Sequence, residues 1–137
     1  MDGALKLQEF SELTDEIWNI LSECVGGEAT REKVAAVYAL KENTLFGVVL
    51  EKKCVGVVGV QFCDEAMEIL HIAIKKELRK KGIGSLVLDM LLARSESKKF
   101  TAETDGDSVG FYLKNGFASE GFISRWGNIR YKVQKQF

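Results

Sequence analysis

Six consecutive residues, Arg79-Lys80-Lys81-Gly82-Ile83-Gly84, combine three cations with two glycines. They follow an apolar run, Met67 to Ile74, and precede the helical stripe Leu86, Leu88, Met90, Leu91 and Leu92. A helix starting just after a strand exposes unpaired backbone N–H groups and the positive end of its dipole. Glycine lets an anion approach that backbone closely. Strand, glycine turn and helix therefore make a place for a phosphate or diphosphate, and Arg79, Lys80 and Lys81 add charge-assisted contacts. The pattern is not the dinucleotide fingerprint GxGxxG, because Val87 stands at the third glycine position, and it lacks the Lys-Ser/Thr ending of a P-loop. Taken alone it also fits a solvated basic loop with a glycine helix start.

Two polar residues interrupt the apolar run, Glu68 and His71. In a regular strand residues three apart face opposite sides, so the two are not expected to act as a pair. A lone histidine on a sheet reads as packed or hydrogen-bonded, and His71 is left out of the catalytic set. Cys24, Cys54 and Cys63 show neither a CxxC nor a Cys/His metal spacing. No metal site is expected, and the thiols read as reduced, buried residues of a cytoplasmic protein. Trp18 and Trp126 read as packing residues, with lining of a substrate cleft as the alternative.

These residues need elements to position them. Ser11, followed by Thr14-Asp15-Glu16, reads as the start of a helix carrying Leu13, Ile17, Ile20, Leu21 and Cys24 on one stripe, stopped by Gly26-Gly27. Thr30 opens a second helix with Val34, Val37, Tyr38 and Leu40; a short strand near Leu5-Lys6-Leu7 precedes both. The β-branched runs 45–50 and 55–60, separated by Glu51-Lys52-Lys53, predict an antiparallel hairpin. Asp64-Glu65 turns the chain into the central strand Met67–Ile74. After the glycine turn a helix runs to about Ser95, and a short strand follows near Phe100-Thr101-Ala102. A helix from about Asp107 stops at Asn115-Gly116, and strands 117–123 and 129–133 finish the chain. The order is (β)ααβββαβαββ, an α+β fold with a mixed, mostly antiparallel sheet and helices on both faces.

Composition narrows the function. The 137 residues, 46% hydrophobic, suit one domain over 1–137 with a sizeable core. A formal net charge of -1 gives no general case for nucleic acid or an anionic membrane, and Lys98-Lys99 and Lys132 to Lys135 read as a solvated face. No segment approaches the roughly 20 apolar residues of a membrane span, and Met1-Asp2-Gly3 does not open a signal peptide. A soluble, unprocessed protein is expected.

Arg79-x-x-Gly82-x-Gly84 after a buried strand resembles the pyrophosphate-binding signature of the GNAT superfamily of acetyl-CoA-dependent N-acetyltransferases. Downstream, Ser108-Val109-Gly110-Phe111-Tyr112-Leu113-Lys114-Asn115-Gly116-Phe117 is similar to that family's Ala-x-x-Leu/Phe-Tyr-x-x-x-Gly-Phe helix and strand, and the element order agrees over almost the whole chain. The resemblance implies direct acetyl transfer from acetyl-CoA to an amine, with no metal and no covalent enzyme intermediate. It implies a β-bulge in the central strand that frees backbone groups of Ile72, Ala73 and Ile74 for the pantetheine arm and thioester. Arg79, Lys80, Lys81, Gly82, Ile83, Gly84 and Ser85 would meet the diphosphate, and Asp105 and Phe111 would contact the cofactor further on. Asp105 stands where many members have Asn, Ser108 replaces a frequent Ala, and Lys76 a common Pro.

Transfer needs an amine without its proton, a polarised thioester and a proton for the departing thiolate. Tyr112 matches the family tyrosine near the cofactor sulfur, and a phenol of pKa about 10 can protonate a thiolate whose parent pKa is about 8.5; a core tyrosine is the other reading. Glu68 resembles in position the general-base glutamate of some members; a structural carboxylate is its alternative, with water relays removing the proton. Gly110 inside a helix suggests close packing against the cofactor or a strand. The acceptor, small molecule or protein, stays open: acids from Glu9 to Glu28 would favour a cation or simply form an exposed face. A homodimer and a monomer are both compatible. The competing functions are a non-catalytic acyl-CoA-binding or regulatory module and a protein-interaction domain using the basic loop.

Overall fold

The valine-rich runs on either side of Glu51-Lys52 pair as an antiparallel hairpin, β2 (Asn43–Leu50) with β3 (Lys53–Phe62). Both turn residues take positive φ, 52° and 69°, the backbone of a type I′ turn whose twist matches that of the strands. In this computed structural model, which describes residues 5–25, 29–63 and 65–136, β1 (Lys6–Phe10) and β4 (Met67–Ile74) flank the hairpin. Then come a single 3-10 turn at Lys76–Leu78, α3 (Ile83–Arg94), β5 (Lys99–Asp105), α4 (Val109–Lys114), β6 (Ala118–Ile123) and β7 (Ile129–Gln136), with α1 (Asp15–Leu21) and α2 (Arg31–Ala39) lying between β1 and β2. The order expected from sequence is the order observed.

One seven-stranded sheet runs β1-β2-β3-β4-β5-β7-β6. Every neighbouring pair is antiparallel except β4 with β5, which are parallel over Met67–Ile69 and Phe100–Ala102. The crossover through α3 forces that direction.

Two cores sandwich the sheet. On one face Ile83, Val87, Leu88 and Leu91 of α3, with Tyr112 and Phe117, pack on Phe46, Val58, Ile69, Phe100 and Val133. On the other, Ile17, Ile20, Leu21 and Val34 of α1 and α2 cover Leu45, Val57 and Ala73. Ile17 and Leu21 are fully buried, worth about 1.5–3 kcal/mol each. Beyond β4 this second face is open: Glu68, Thr101, Glu103, Glu120, Lys132 and Gln134 line a depression of about 450 Å³.

Local chemistry moves several boundaries. The cap of α1 is Thr14 rather than Ser11, because the Thr14 hydroxyl accepts the Ile17 N–H at 3.2 Å and Asp15 and Glu16 occupy the first turn. The helix stops at Leu21, so Cys24 leaves the stripe; Cys24 and Cys63 are exposed and only Cys54 is buried. Thr30 caps α2 as expected, accepting from Lys33 N–H at 3.2 Å, but Leu40 lies past the helix and is exposed. Gly26-Gly27 and Asp64 of the Asp64-Glu65 turn lie outside the described residues.

Candidate active site

The glycine turn divides its labour. Gly82 takes φ +81° at the cap of α3, a left-handed backbone that glycine adopts without strain, and a Cβ there would meet nothing within 4 Å. The first helical bond runs from Leu86 N–H to the Gly82 carbonyl, so the N–H groups of Ile83, Gly84 and Ser85 precede the helix's hydrogen-bond ladder. Ile83 itself points into the core and offers only that N–H. Gly84 serves packing: a Cβ on it would come within 2.8 Å of the Phe111 ring, which seats α4 against the first turn of α3. Lys80 and Lys81 are exposed and form no ion pair among the described residues. Open space, three N–H donors at a twelve-residue helix and two unpaired cations fit a diphosphate.

Arg79 is engaged elsewhere. Its Nε donates to the Ile74 carbonyl at 2.9 Å, and its terminal nitrogen reaches Glu23 at 3.2 Å and the Cys24 sulfur at 3.8 Å. The guanidinium thus ties the end of β4 to the turn after α1. Asp105 is also occupied, its carboxylate accepting the Ser108 N–H at 2.9 Å ahead of α4.

The strand opening lies beside this turn. Pairing of β4 with β5 ends at Ile69 and Ala102, so Ile72, Ala73 and Ile74 have no strand on that side. Lys75 N–H bonds the Val55 carbonyl on β3; by strand alternation Ala73 also turns its backbone to β3, while Ile72 and Ile74 turn theirs to the gap.

A register break accompanies the opening. Gly59 pairs with His71 and Val60 with Ile69, leaving Leu70 as the extra residue of a bulge. Met67, Ile69, Ile72 and Ile74 all pack on the α3 side, so Glu68 faces the α1–α2 side. His71 faces that side too, since its Nδ1 lies 2.5 Å from the Tyr38 hydroxyl of α2. The regular-strand expectation that Glu68 and His71 diverge is corrected by that one inserted residue.

Tyr112 is fixed from behind. Phe117 N–H bonds the Tyr112 carbonyl and Gly116 N–H the Leu113 carbonyl, a Schellman ending in which Gly116 supplies φ +87°. The Tyr112 ring stands edge-on to Phe111 and Phe117, both at 5.2 Å between centroids. Burial pushes its phenol well above the ordinary tyrosine range. No hydrogen bond of its hydroxyl forms among the described residues, none of whose buried side-chain oxygens lacks a partner; the hydroxyl therefore meets an accessible surface. Gly110 needs no close packing within the protein, because a Cβ there would meet nothing within 4 Å.

The contact of Tyr38 with His71 and the bulge at Gly59 have little local signal in the sequence, and Glu23, one of the acids near the first helix, pairs with Arg79. Tyr38 reads from sequence as one residue of a helical stripe, and its partner His71 lies 33 positions away. A glycine opposite a histidine, inside a valine run, was the one trace of the bulge.

No curated protein sequence matches the chain. Among solved structures, a GNAT family acetyltransferase from Elizabethkingia anophelis with acetyl-CoA bound is 17% identical, covering 97% of this chain and 98% of that one at a TM-score of 0.74. An acetyltransferase from Bacillus subtilis in complex with CoA is 18% identical, with 98% and 99% covered at 0.74. The ribosomal-protein-S18-alanine N-acetyltransferase from Escherichia coli is 12% identical, with 97% and 94% covered at 0.76. These likenesses concern the fold. The sequence model of the acetyltransferase (GNAT) family matches residues 14–117, a span that holds the glycine turn, the bulged strand and Tyr112, and the chain belongs to that family.

Proposed function

We propose that the protein is an acetyl-CoA-dependent N-acetyltransferase that passes the acetyl group directly to a primary amine of a small molecule or a protein. The observation that carries this reading is the juxtaposition of a ready anion site at α3 with the gap between β4 and β5. The bound acetyl-CoA or CoA of the two structural relatives and the alanine acceptor of the third support it.

In this reading the N–H groups of Ile83, Gly84 and Ser85, with Lys80 and Lys81, hold the diphosphate. Backbone groups of Ile72 and the N–H of Ile74, whose carbonyl is held by Arg79, orient the pantetheine arm from the gap, and acetyl-CoA supplies an activated thioester. Arg79 contributes by fixing the end of β4 and meets the diphosphate only on leaving Glu23. Phe111 packs beside the turn, and Asp105 shapes the loop before α4. Glu68, on the open face, takes the amine's proton directly or through water. Tyr112 gives its proton to the departing thiolate; its raised pKa keeps it protonated through the alkaline range.

Release of free thiol from acetyl-CoA, followed across a panel of amines, tests the proposal. Amine-dependent release with a matching acetylated product is expected. Tight CoA binding without release for any amine would instead assign a non-catalytic acyl-CoA-binding module.

A further inference from the structure

The bulge in β4 turns His71 toward α2 immediately beyond the last β4–β5 pair, onto the face that carries Glu68. Its Nδ1 meets the Tyr38 hydroxyl at 2.5 Å, with ring centroids 5.6 Å apart. Space for that hydroxyl exists only because residue 59 is glycine: a Cβ there would overlap the Tyr38 oxygen. Glycine at the bulge, tyrosine on α2 and histidine on β4 thus form one local arrangement.

Its protonation follows from the hydrogens available. Burial lowers the His71 pKa below its ordinary value and raises that of Tyr38, so a neutral imidazole faces an intact phenol. If Nδ1–H donated to Tyr38, the phenol's own hydrogen would lack an acceptor, since Tyr38 makes no other hydrogen bond among the described residues. The phenol is therefore assigned as donor to Nδ1, and the ring hydrogen resides on Nε2. Nε2 forms no bond among the described residues, and none of their buried side-chain nitrogens lacks a partner. Nε2–H accordingly opens onto an accessible surface.

We infer that His71, held by Tyr38 as the Nε2–H tautomer, is a specificity-determining donor that binds an oxygen flanking the acceptor's amine. The chemistry selects the oxygen. An N–H donor needs a lone pair, and the amine's own lone pair is committed to the thioester carbon. The bound atom is thus a second acceptor on the same substrate, a carbonyl, carboxylate or hydroxyl oxygen. Tyr38 is a positioning residue and acts through the ring. This inference rests on the acetyl-transfer reading above, and its test separates the two.

His71 is the only histidine of the chain, so ring nitrogen resonances of the ¹⁵N-labelled protein report it alone. The wild type should show a pyridine-like Nδ1 and a pyrrole-like Nε2, and folded Tyr38→Phe a mixture of tautomers. Glycinamide added to the CoA-loaded protein should shift Nε2, whereas propylamine, which lacks oxygen, should not. In turnover, His71→Leu should raise the KM for glycinamide about tenfold with kcat nearly unchanged, and His71→Gln, which keeps an N–H donor, should recover most of it. An Nδ1–H tautomer in the wild type, silence of Nε2 toward glycinamide, or equal shifts with both amines would overturn the inference. An Nε2 shift without thiol release from acetyl-CoA would leave the donor standing and remove the transferase reading.

Discussion

The two sides of the β4–β5 gap are built in different ways. On the α3 side the proposed contacts are mostly backbone N–H groups, set by Gly82 at φ +81° and aided by cations that need only be near. On the α1–α2 side they are side chains, Glu68, His71 and Tyr38, brought onto one face by an inserted residue at Leu70. A site made of backbone tolerates change in its neighbours, while a site made of side chains depends on register. The first suits a cosubstrate common to a family, the second an acceptor particular to one chain.

Four perturbations sharpen that contrast. The largest effect belongs to Tyr112, the proposed donor to the departing thiolate. Tyr112→Phe should lower kcat more than tenfold with acetyl-CoA affinity nearly unchanged; an unaltered kcat would return Tyr112 to the core. Because burial raises this phenol, the wild-type rate should show no alkaline fall from it below about pH 10.

On the backbone side, replacing both Lys80 and Lys81 by Ala should weaken CoA binding by about tenfold at low salt. The deficit should shrink as salt screens the exposed charges, which titrations at two ionic strengths would read. On the side-chain side, His71 has a folded-state pKa below its unfolded value of about 6.5. The unfolded chain therefore binds the proton more readily, so this contribution to stability is present above about pH 6.5 and lost as pH falls. Urea unfolding between pH 7 and 5.5 should show a steeper loss for the wild type than for His71→Gln. The smallest effect is Gly110→Ala, which should stabilise the protein by about 0.5–1 kcal/mol, since the position is helical, exposed and open. A melting temperature raised with lost CoA affinity would show that the cofactor lies against Gly110.

How legible each side was in the sequence follows the same divide. The glycine turn before α3, the Asn115-Gly116 stop and the strand limits of β4 are local: glycine, charge and apolar period within a dozen residues specify them. Thr30 as a cap was equally local, and Ser11 was a misjudgement between two good capping residues three positions apart. The grouping of Glu68 and His71 was hidden because a bulge changes which residues share a face without changing composition. Gly59 looks like one more small residue in a strand, and only its pairing with His71 reveals the break. The Arg79–Glu23 pair is non-local as well, joining residues 56 positions apart, so a motif arginine expected to meet a diphosphate is found holding the turn after α1.

Calorimetric titration with acetyl-CoA, wild type beside Gly82→Val, tests the central claim most directly. A β-branched residue cannot hold φ +81° without strain, so the turn should distort while the core is spared. One-to-one binding by the wild type, weakened at least tenfold in a folded variant, is the predicted result. Absence of binding by the wild type, or equal binding by both proteins, would contradict the assignment of the α3 turn as the diphosphate site.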